Sequence, residues 1–156
     1  MIPFSYHEWS SASCEGVKLH SPSPQHLLEV IERLRTDKTN NTQWTLNLYH
    51  TTTGATASTI NQINKVHSLV SLGLFQSSID PVSLSDTLAS NTTLDTLWLD
   101  ASSIGCIGLQ QLYKALSANK TLRTLWLTRD PSINDKTILY LAQGLNVNIK
   151  TLRQLS

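Results

Sequence analysis

Charge, cysteine and long apolar runs are all scarce in this chain of 156 residues. Charged residues make up 15% and the formal net charge is +1, so electrostatics gives no case for binding nucleic acid or an anionic membrane. The two cysteines, Cys14 and Cys106, are far apart and do not indicate a disulfide framework, so we expect reduced thiols. No apolar run approaches the roughly 18 residues of a membrane helix, and the start MIPFSYHEWSSASCEG does not resemble a signal peptide. We therefore expect a cytoplasmic protein.

Motifs for catalysis and metal binding are also missing. The chain contains no G-x-S-x-G, no Walker A and no G-x-G-x-x-G sequence. Four candidate ligands, His7, Cys14, His20 and His26, are spaced 7, 6 and 6 residues apart, whereas zinc sites use shorter paired spacings such as C-x₂-C. Cys106 falls where a helix is predicted to begin, which can lower a thiol pKa, but we predict no reactive role for it. We expect a protein that is not an enzyme and has no cofactor.

Leucine, by contrast, is abundant and recurs at a fixed period, with about 25 copies against two Phe and one Met. TLDTLWLD at 93–100 and TLRTLWLT at 121–128 match at six of eight positions, 28 residues apart. The pattern Leu-x-x-Leu-x-Leu assigns these slots along the chain: Gln43, Leu46 and Leu48; Leu69, Leu72 and Leu74; Leu94, Leu97 and Leu99; Leu122, Leu125 and Leu127; then Leu152 and Leu155. Steps of about 26, 25, 28 and 30 residues predict a repeat architecture.

Each repeat divides into a strand half and a helix half. The alternation in Leu-Trp-Leu at 97–99 predicts a strand, and the leucine spacing across 109–116 predicts a helix. Asp80-Pro81 is typical of an N-cap followed by proline at the first helical position. One such unit cannot bury its own apolar face. Stacked units therefore predict an α/β solenoid, with a parallel sheet on the concave side and helices on the convex side.

The repeat domain is predicted to span 21–156, with about four to five repeats and a truncated last one. Residues 1–20 are expected to be irregular or disordered. HLLEVIERLR at 26–35 predicts a helix stacked on the first strand. Two interpretations of this helix stay open. It is either the second half of a degenerate earlier repeat, with GVKLH at 16–20 as the strand, or an N-terminal cap.

The segment LDTLWLDASSIGCIGLQQLYKALSANKTL resembles the leucine-rich repeats of the ribonuclease-inhibitor type, which also occur in NOD-like receptors. The likeness rests on the paired strand leucines, Ile104-Gly105, Gly108 and Asn119, and it covers roughly 41–156. It implies a horseshoe fold and a non-catalytic protein-interaction module, part of a sensor or scaffold of the NOD-like-receptor kind.

The turns after the strands depart from that family. Its repeats have Asn or Cys in the turn, where this chain has Ser102 in one repeat and an irregular Arg129-Asp130-Pro131 in the next. Serine bonds turn backbone groups more weakly than asparagine does, so we expect less regular turns. Sequons at Asn40, Asn91 and Asn119 lie just before strands, and we interpret them as structural parts of the repeat.

The alternation of side chains along a strand predicts a binding face. If the strand leucines point into the core, their neighbours point to the concave surface. Trp98 and Trp126 would then be adjacent on strands roughly 4.8 Å apart, with Tyr49 and Phe75 in the row that holds Asp100 and Thr128. The predicted protein-binding residues are Trp98, Trp126, Tyr49, Phe75, Thr96, Asp100, Thr124, Thr128, Asp95 and Arg123. Exposed Trp and Tyr are typical anchors for a protein partner, although mutual shielding of the strands explains them too.

Charges at the strand ends give a second feature of that face. Asp95, Arg123 and Arg153 are predicted to share a row, and Asp95 can pair with Arg123 across neighbouring strands. An exposed pair contributes at most about 1 kcal/mol.

Two other functions stay open. Leucine-rich repeats also occur in activators of small GTPases, for which Arg129-Asp130 is the one candidate contact. The second alternative is that the chain is an incomplete repeat fragment without an independent role. It stops inside a predicted strand at Leu155-Ser156, and an uncapped strand edge is expected to pair with another copy.

Overall fold

One six-stranded parallel sheet organises the computed structural model, which describes residues 14–37, 42–102, 104–144 and 151–155. The strands lie side by side in chain order: β1 Cys14–His20, β2 Gln43–Tyr49, β3 Leu69–Phe75, β4 Thr96–Asp100, β5 Thr124–Thr128 and β6 Thr151–Leu155. The helices alternate with them: α1 Pro24–Thr36, α2 Thr53–Ile63, α3 Pro81–Ser90, α4 Gly105–Ala118 and α5 Asp135–Gly144. The predicted α/β leucine-rich-repeat solenoid, with a concave sheet and convex helices, is confirmed.

The core is the layer between the sheet and the helices. Leu72 of β3 lies opposite Leu97 of β4, which lies opposite Leu125 of β5, so the predicted slots stack across the strands. All three are fully buried. Burying a leucine side chain contributes about 1.5–3 kcal/mol, so this stack holds the repeats together. None of the described helices is long and apolar enough to cross a membrane.

Short polar side chains set the beginnings of the helices. Asp80 accepts hydrogen bonds from the backbone N–H groups of Val82 and Ser83, and Pro81 follows at the first helical position, as predicted. Ser23 and Thr52 cap α1 and α2 in the same way.

Gly108 packs α4 against α3. A Cβ built on it would lie 3.0 Å from Pro81. The absence of a side chain at Gly108 therefore allows α4 to approach α3 closely.

A ladder of buried asparagines joins the return loops. The Asn91 side-chain oxygen accepts from the N–H groups of Thr93 and Leu94, at 3.0 and 2.7 Å, and its amide donates to the Asn64 oxygen of the preceding repeat. Because the amide carries donors and an acceptor, one side chain closes its own loop and bonds the neighbouring repeat.

Asn119 repeats this arrangement one unit later. Its oxygen accepts from the N–H groups of Thr121 and Leu122, and its amide donates to the Leu88 and Asn91 carbonyls. The structural interpretation of Asn91 and Asn119 is therefore confirmed, while Asn40 lies outside the described residues.

The turns that follow the strands also repeat. The first turn residue is left-handed in every case, with φ between 44° and 52°: Ser21, His50, Gln76, Ala101 and Arg129. The next position is buried and polar in four of these turns: Thr51, Ser77, Ser102 and Asp130. The expectation of irregular turns is wrong. The Ser102 hydroxyl reaches the Leu74 carbonyl of the preceding strand at 3.0 Å and serves as an inter-repeat bond in place of asparagine.

Two register predictions are corrected. Gln43 is exposed, and Trp44 fills the first core slot instead, with its indole N–H donating to Asp37 at 3.1 Å. A register shift beside Trp44 makes room for it, because Trp44 lies opposite Leu69.

At the other end of the sheet, Leu152 lies opposite Leu125 rather than beginning a longer repeat. The spacing between the last two repeats is therefore shorter than predicted from the leucine pattern. Arg153 consequently takes the register position opposite Trp126, not the row of Arg123.

The first strand and helix form a unit like those that follow. β1 pairs with β2 along its whole length, and its Val17 and Leu19 lie opposite the core leucines of β2. This arrangement favours the interpretation of an earlier repeat over that of a cap. Residues 1–20 are not irregular throughout, since Cys14–His20 form β1. Residues 1–13 lie outside the described part.

Candidate protein-binding face

The register of β2 to β5 places eight of the ten predicted residues in three rows on the concave face. One row runs through Tyr49, Phe75, Asp100 and Thr128, and a second brings Trp98 opposite Trp126. The third contains Thr96 opposite Thr124, both partly buried. These positions agree with the alternation expected from the sequence.

Five rings form a continuous stack across five strands, which we call the aromatic row: His20, Tyr49, Phe75, Trp98 and Trp126. Adjacent ring centroids are 4.5 Å apart for His20–Tyr49, 4.7 Å for Tyr49–Phe75, 6.2 Å for Phe75–Trp98 and 4.5 Å for Trp98–Trp126. His20 was missed by the sequence reasoning. The signal that could have found it is its position at the end of the GVKLH strand, equivalent to that of Tyr49 in β2.

Gly73 allows the stack to pass from one row to the next. A Cβ at this position would lie 2.4 Å from the Phe75 ring and 2.3 Å from the Asn47 side-chain oxygen. The Phe75 ring therefore occupies space that a side chain at position 73 would need, and from there it meets Trp98 at a tilt of 45°.

Stacking decides which part of each ring faces solvent. The planes of the Trp98–Trp126 and Tyr49–Phe75 pairs are within 19° and 13° of parallel, at about the spacing of neighbouring strands. The rings therefore cover one another's faces and turn their edges outward, so all but exposed His20 are only partly exposed. Ring edges carry partial positive charge and favour acceptor groups.

Asp100 differs from the expected exposed contact residue. Its side chain is only 8% exposed, and it accepts hydrogen bonds from the Thr128 hydroxyl and from Nε and Nη2 of Arg129. The hydrogen bonds from Arg129 hold the pKa of the Asp100 carboxyl below its usual value, and the Thr128 hydroxyl adds to this effect. The same contact raises the pKa of Arg129. Asp100 therefore positions Arg129.

Asp95 and Arg123 pair as predicted. The distance from Arg123 Nε to the Asp95 carboxylate is 3.6 Å, and both side chains are well exposed. An exposed pair of this kind contributes at most about 1 kcal/mol. Thr96 donates to the other Asp95 oxygen at 3.2 Å, which keeps that carboxylate at the edge of the sheet.

Other candidates are engaged in local structure. Asp130, one half of the contact considered for a GTPase, is buried and accepts from the N–H group of Ile104 at 2.7 Å, so its charge serves the start of α4. Cys106 is exposed in the first turn of α4. In the described part of the chain, no group of three His, Cys, Asp or Glu residues could hold a metal ion.

The fold is similar to two solved structures. A tropomodulin C-terminal domain from Caenorhabditis elegans matches with a TM-score of 0.63 and 15% identity, over 86% of this chain and 84% of that one. A structure described as leiomodin-1 actin-binding site 2 matches with a TM-score of 0.64 and 16% identity, over 83% and 78%. No protein-family model matches the chain, and no curated protein matches it.

These matches correct the type of repeat. The expected ribonuclease-inhibitor or NOD-like-receptor assignment is wrong, because the similar structures belong to tropomodulin and leiomodin. The physical reason is that the leucine pattern reports the packing of a strand and a helix, which leucine-rich repeats share.

Proposed function

We propose that this chain is a non-catalytic protein-binding module that takes its partner on the concave face, around Trp98 and Trp126. The observation that carries the proposal is the aromatic row, five rings in contact on the open side of the sheet. Clustered Trp and Tyr residues are frequent anchors in protein interfaces, and solenoids of this shape offer extended concave binding surfaces. The setting we propose is the cytoplasm.

The test compares the wild-type chain with a Trp98→Ser, Trp126→Ser double variant in a pull-down. The two indoles lie on the face opposite the core, so the far-UV circular dichroism spectrum is expected to stay unchanged while partners are lost. The matched control is Val82→Ser, an exposed apolar residue on α3. Retention of every partner by the tryptophan variant contradicts the proposed site.

Actin is the first partner to test. The name of the leiomodin-1 structure describes it as an actin-binding site, and at 16% identity this likeness supports the fold of our chain rather than its partner. We expect the wild-type chain to cosediment with actin filaments and the double tryptophan variant to remain in the supernatant. Equal sedimentation of the two proteins would place any actin contact elsewhere.

The edge of the sheet at β6 offers a second contact, with another copy of the chain. Among the described strands, β6 has a neighbour on one side only, β5. Unpaired backbone groups along a strand edge favour pairing with a further strand. Sedimentation equilibrium over a range of concentrations is expected to detect self-association, and a strictly monomeric distribution would contradict it.

A further inference from the structure

Two exposed guanidinium groups bracket Trp126. Arg123 comes three residues before it and Arg129 three residues after it, and their side chains are 65% and 59% exposed. Both arginines lie just outside β5. The alternation of side chains that points Leu125 and Leu127 into the core therefore does not fix the direction of either arginine. At about 3.3 Å per residue, the two arginines are roughly 20 Å apart along the strand.

Each arginine is paired with an aspartate at one end of β4: Asp95 lies just before the strand, and Asp100 is its last residue. The Asp100 carboxylate accepts hydrogen bonds from Nε and Nη2 of Arg129. Asp100 is buried, so the exposed part of this pair is the guanidinium of Arg129. A guanidinium has five N–H donors, so the remaining ones can serve a partner. At the other end, the 3.6 Å distance between Arg123 and Asp95 leaves a looser pair, which a second carboxylate can replace.

Between these two cations lie groups that can contact a peptide: hydroxyls that can bond its backbone and a ring that can pack against an apolar side chain. Thr124 and Thr128 are partly exposed and carry hydroxyls, and Trp126 turns a ring edge outward. We call the surface formed by Arg123, Thr124, Trp126, Thr128 and Arg129 the β5 strip.

We propose that the β5 strip binds an extended partner segment in which two carboxylates, each four residues from a central apolar side chain, lie on the same face of the segment as that side chain. The inference rests on the proposed function and specifies the chemistry of its partner. The apolar side chain meets the edges of Trp98 and Trp126, and the carboxylates meet Arg123 and Arg129. Planar arginine groups pair with carboxylates through two parallel hydrogen bonds.

An acidic peptide fits this surface better than a nucleic acid. Proteins that bind single strands stack bases on open ring faces, whereas the rings here cover the faces of their neighbours. The formal net charge of the chain is only +1, too small for strong general attraction to phosphates.

The experiment uses fluorescein-labelled peptides and fluorescence anisotropy. The probe is Glu-Ser-Gly-Ser-Leu-Ser-Gly-Ser-Glu, in which the glutamates and the leucine share one face of an extended chain. The matched control peptide has glutamine in place of both glutamates. A labelled oligothymidine of similar length tests for nucleic acid. We expect the glutamate peptide to bind at least about tenfold more tightly than the glutamine peptide and the oligothymidine, with an affinity that falls as salt rises. Changing the peptide leaves the fold of the protein untouched.

Variants then locate the contact. Arg123→Gln and Arg129→Gln are each expected to weaken the glutamate peptide several-fold, and their melting curves check the fold. Lys120→Gln, which removes an exposed cation from the loop before β5, is the matched control and should leave affinity unchanged. An Arg123→Glu, Arg129→Glu double variant is expected to prefer the peptide with lysine in both outer positions.

The outcomes separate this inference from the proposed function. Equal binding of the glutamate and glutamine peptides, no binding of either, or tighter binding of oligothymidine overturns the β5 strip. The proposed function still stands if the Trp98→Ser, Trp126→Ser variant loses its partners while the arginine variants keep them. Both ideas fail if partners survive all of these substitutions.

Discussion

The two faces of the one sheet are built from alternate residues of the same strands, and they follow different rules. The inner face repeats leucine at nearly every position and is fully buried, as at Leu97 and Leu125. The outer face changes from His20 through Phe75 to Trp126 along the solenoid and is only partly buried. Packing dictates the inner face, so its sequence repeats. The outer face is free to vary, and specificity for a partner can be encoded there.

The largest expected effect comes from the inner face. Leu97→Ala leaves a cavity in a fully buried stack and is expected to lower the free energy of unfolding by about 2–5 kcal/mol. Leu28→Ala is the matched control, because Leu28 is an exposed leucine on α1. Urea denaturation followed by circular dichroism measures both. Similar losses at the two positions would contradict the assignment of faces.

The next effect belongs to the asparagine ladder. Asn119→Ala removes the acceptor for the N–H groups of Thr121 and Leu122 and leaves buried polar groups without partners, at about 1–3 kcal/mol. Asn61→Ala, an exposed position on α2, is the control. Urea denaturation followed by circular dichroism measures the free energy of unfolding of both variants. If Asn119→Ala is as stable as Asn61→Ala, the hydrogen bonds of Asn119 contribute little.

A smaller effect, and one that depends on pH, is expected at Asp100. Its lowered pKa means that the ionised carboxylate stabilises the fold above the unfolded-state value of about 3.9, and this contribution is lost as pH falls through the lower native value. Asp100→Asn should therefore lower the melting temperature at pH 7. The difference in melting temperature between this variant and the wild type should become smaller in acid. Asp80 and Glu32 also have lowered pKa values, so only the difference between the two proteins reports on Asp100. A constant difference at all pH values would contradict this account.

The smallest expected change in stability is on the outer face. Phe75→Leu keeps an apolar side chain of similar size but removes ring contacts with Tyr49 and Trp98, worth about 0.5–1.5 kcal/mol. The emission spectrum of the tryptophans should shift as Trp98 loses its neighbour. A loss as large as that of Leu97→Ala would show that the aromatic row belongs to the core.

Repetition determined how much the sequence could predict. The leucine period fixed the register of β4 and β5, and with it the contact between Trp98 and Trp126. Sequence reasoning failed where the repeat is weak. His20 was overlooked because β1 has Val17 in a leucine slot, and the order of Trp44 and Gln43 was misjudged because a register shift carries no leucine signal.

The burial of Asp100 was outside the reach of pattern reasoning for a different reason. Its environment depends on the left-handed conformation of Arg129, with φ of 51°, which accompanies the pairing of its guanidinium with the carboxylate. The left-handed conformation recurs at the first residue of all five turns, but none of these residues is glycine, so residue type alone does not indicate it. The structure therefore shows Asp100 as a buried partner of Arg129 rather than as an exposed residue of the concave face.

The burial of the two asparagines determines whether this fold can carry N-linked sugars. Asn91 and Asn119 both stand in sequons, yet each is 3% exposed with its amide nitrogen donating to the neighbouring repeat. A sugar chain attached to these nitrogens could not fit beside the Asn64 oxygen, which accepts from Asn91, or the Leu88 carbonyl, which accepts from Asn119, so glycosylation during synthesis would uncouple adjacent repeats. The side chains that join neighbouring coils of the solenoid thus make the folded chain incompatible with an attached oligosaccharide at these two sites.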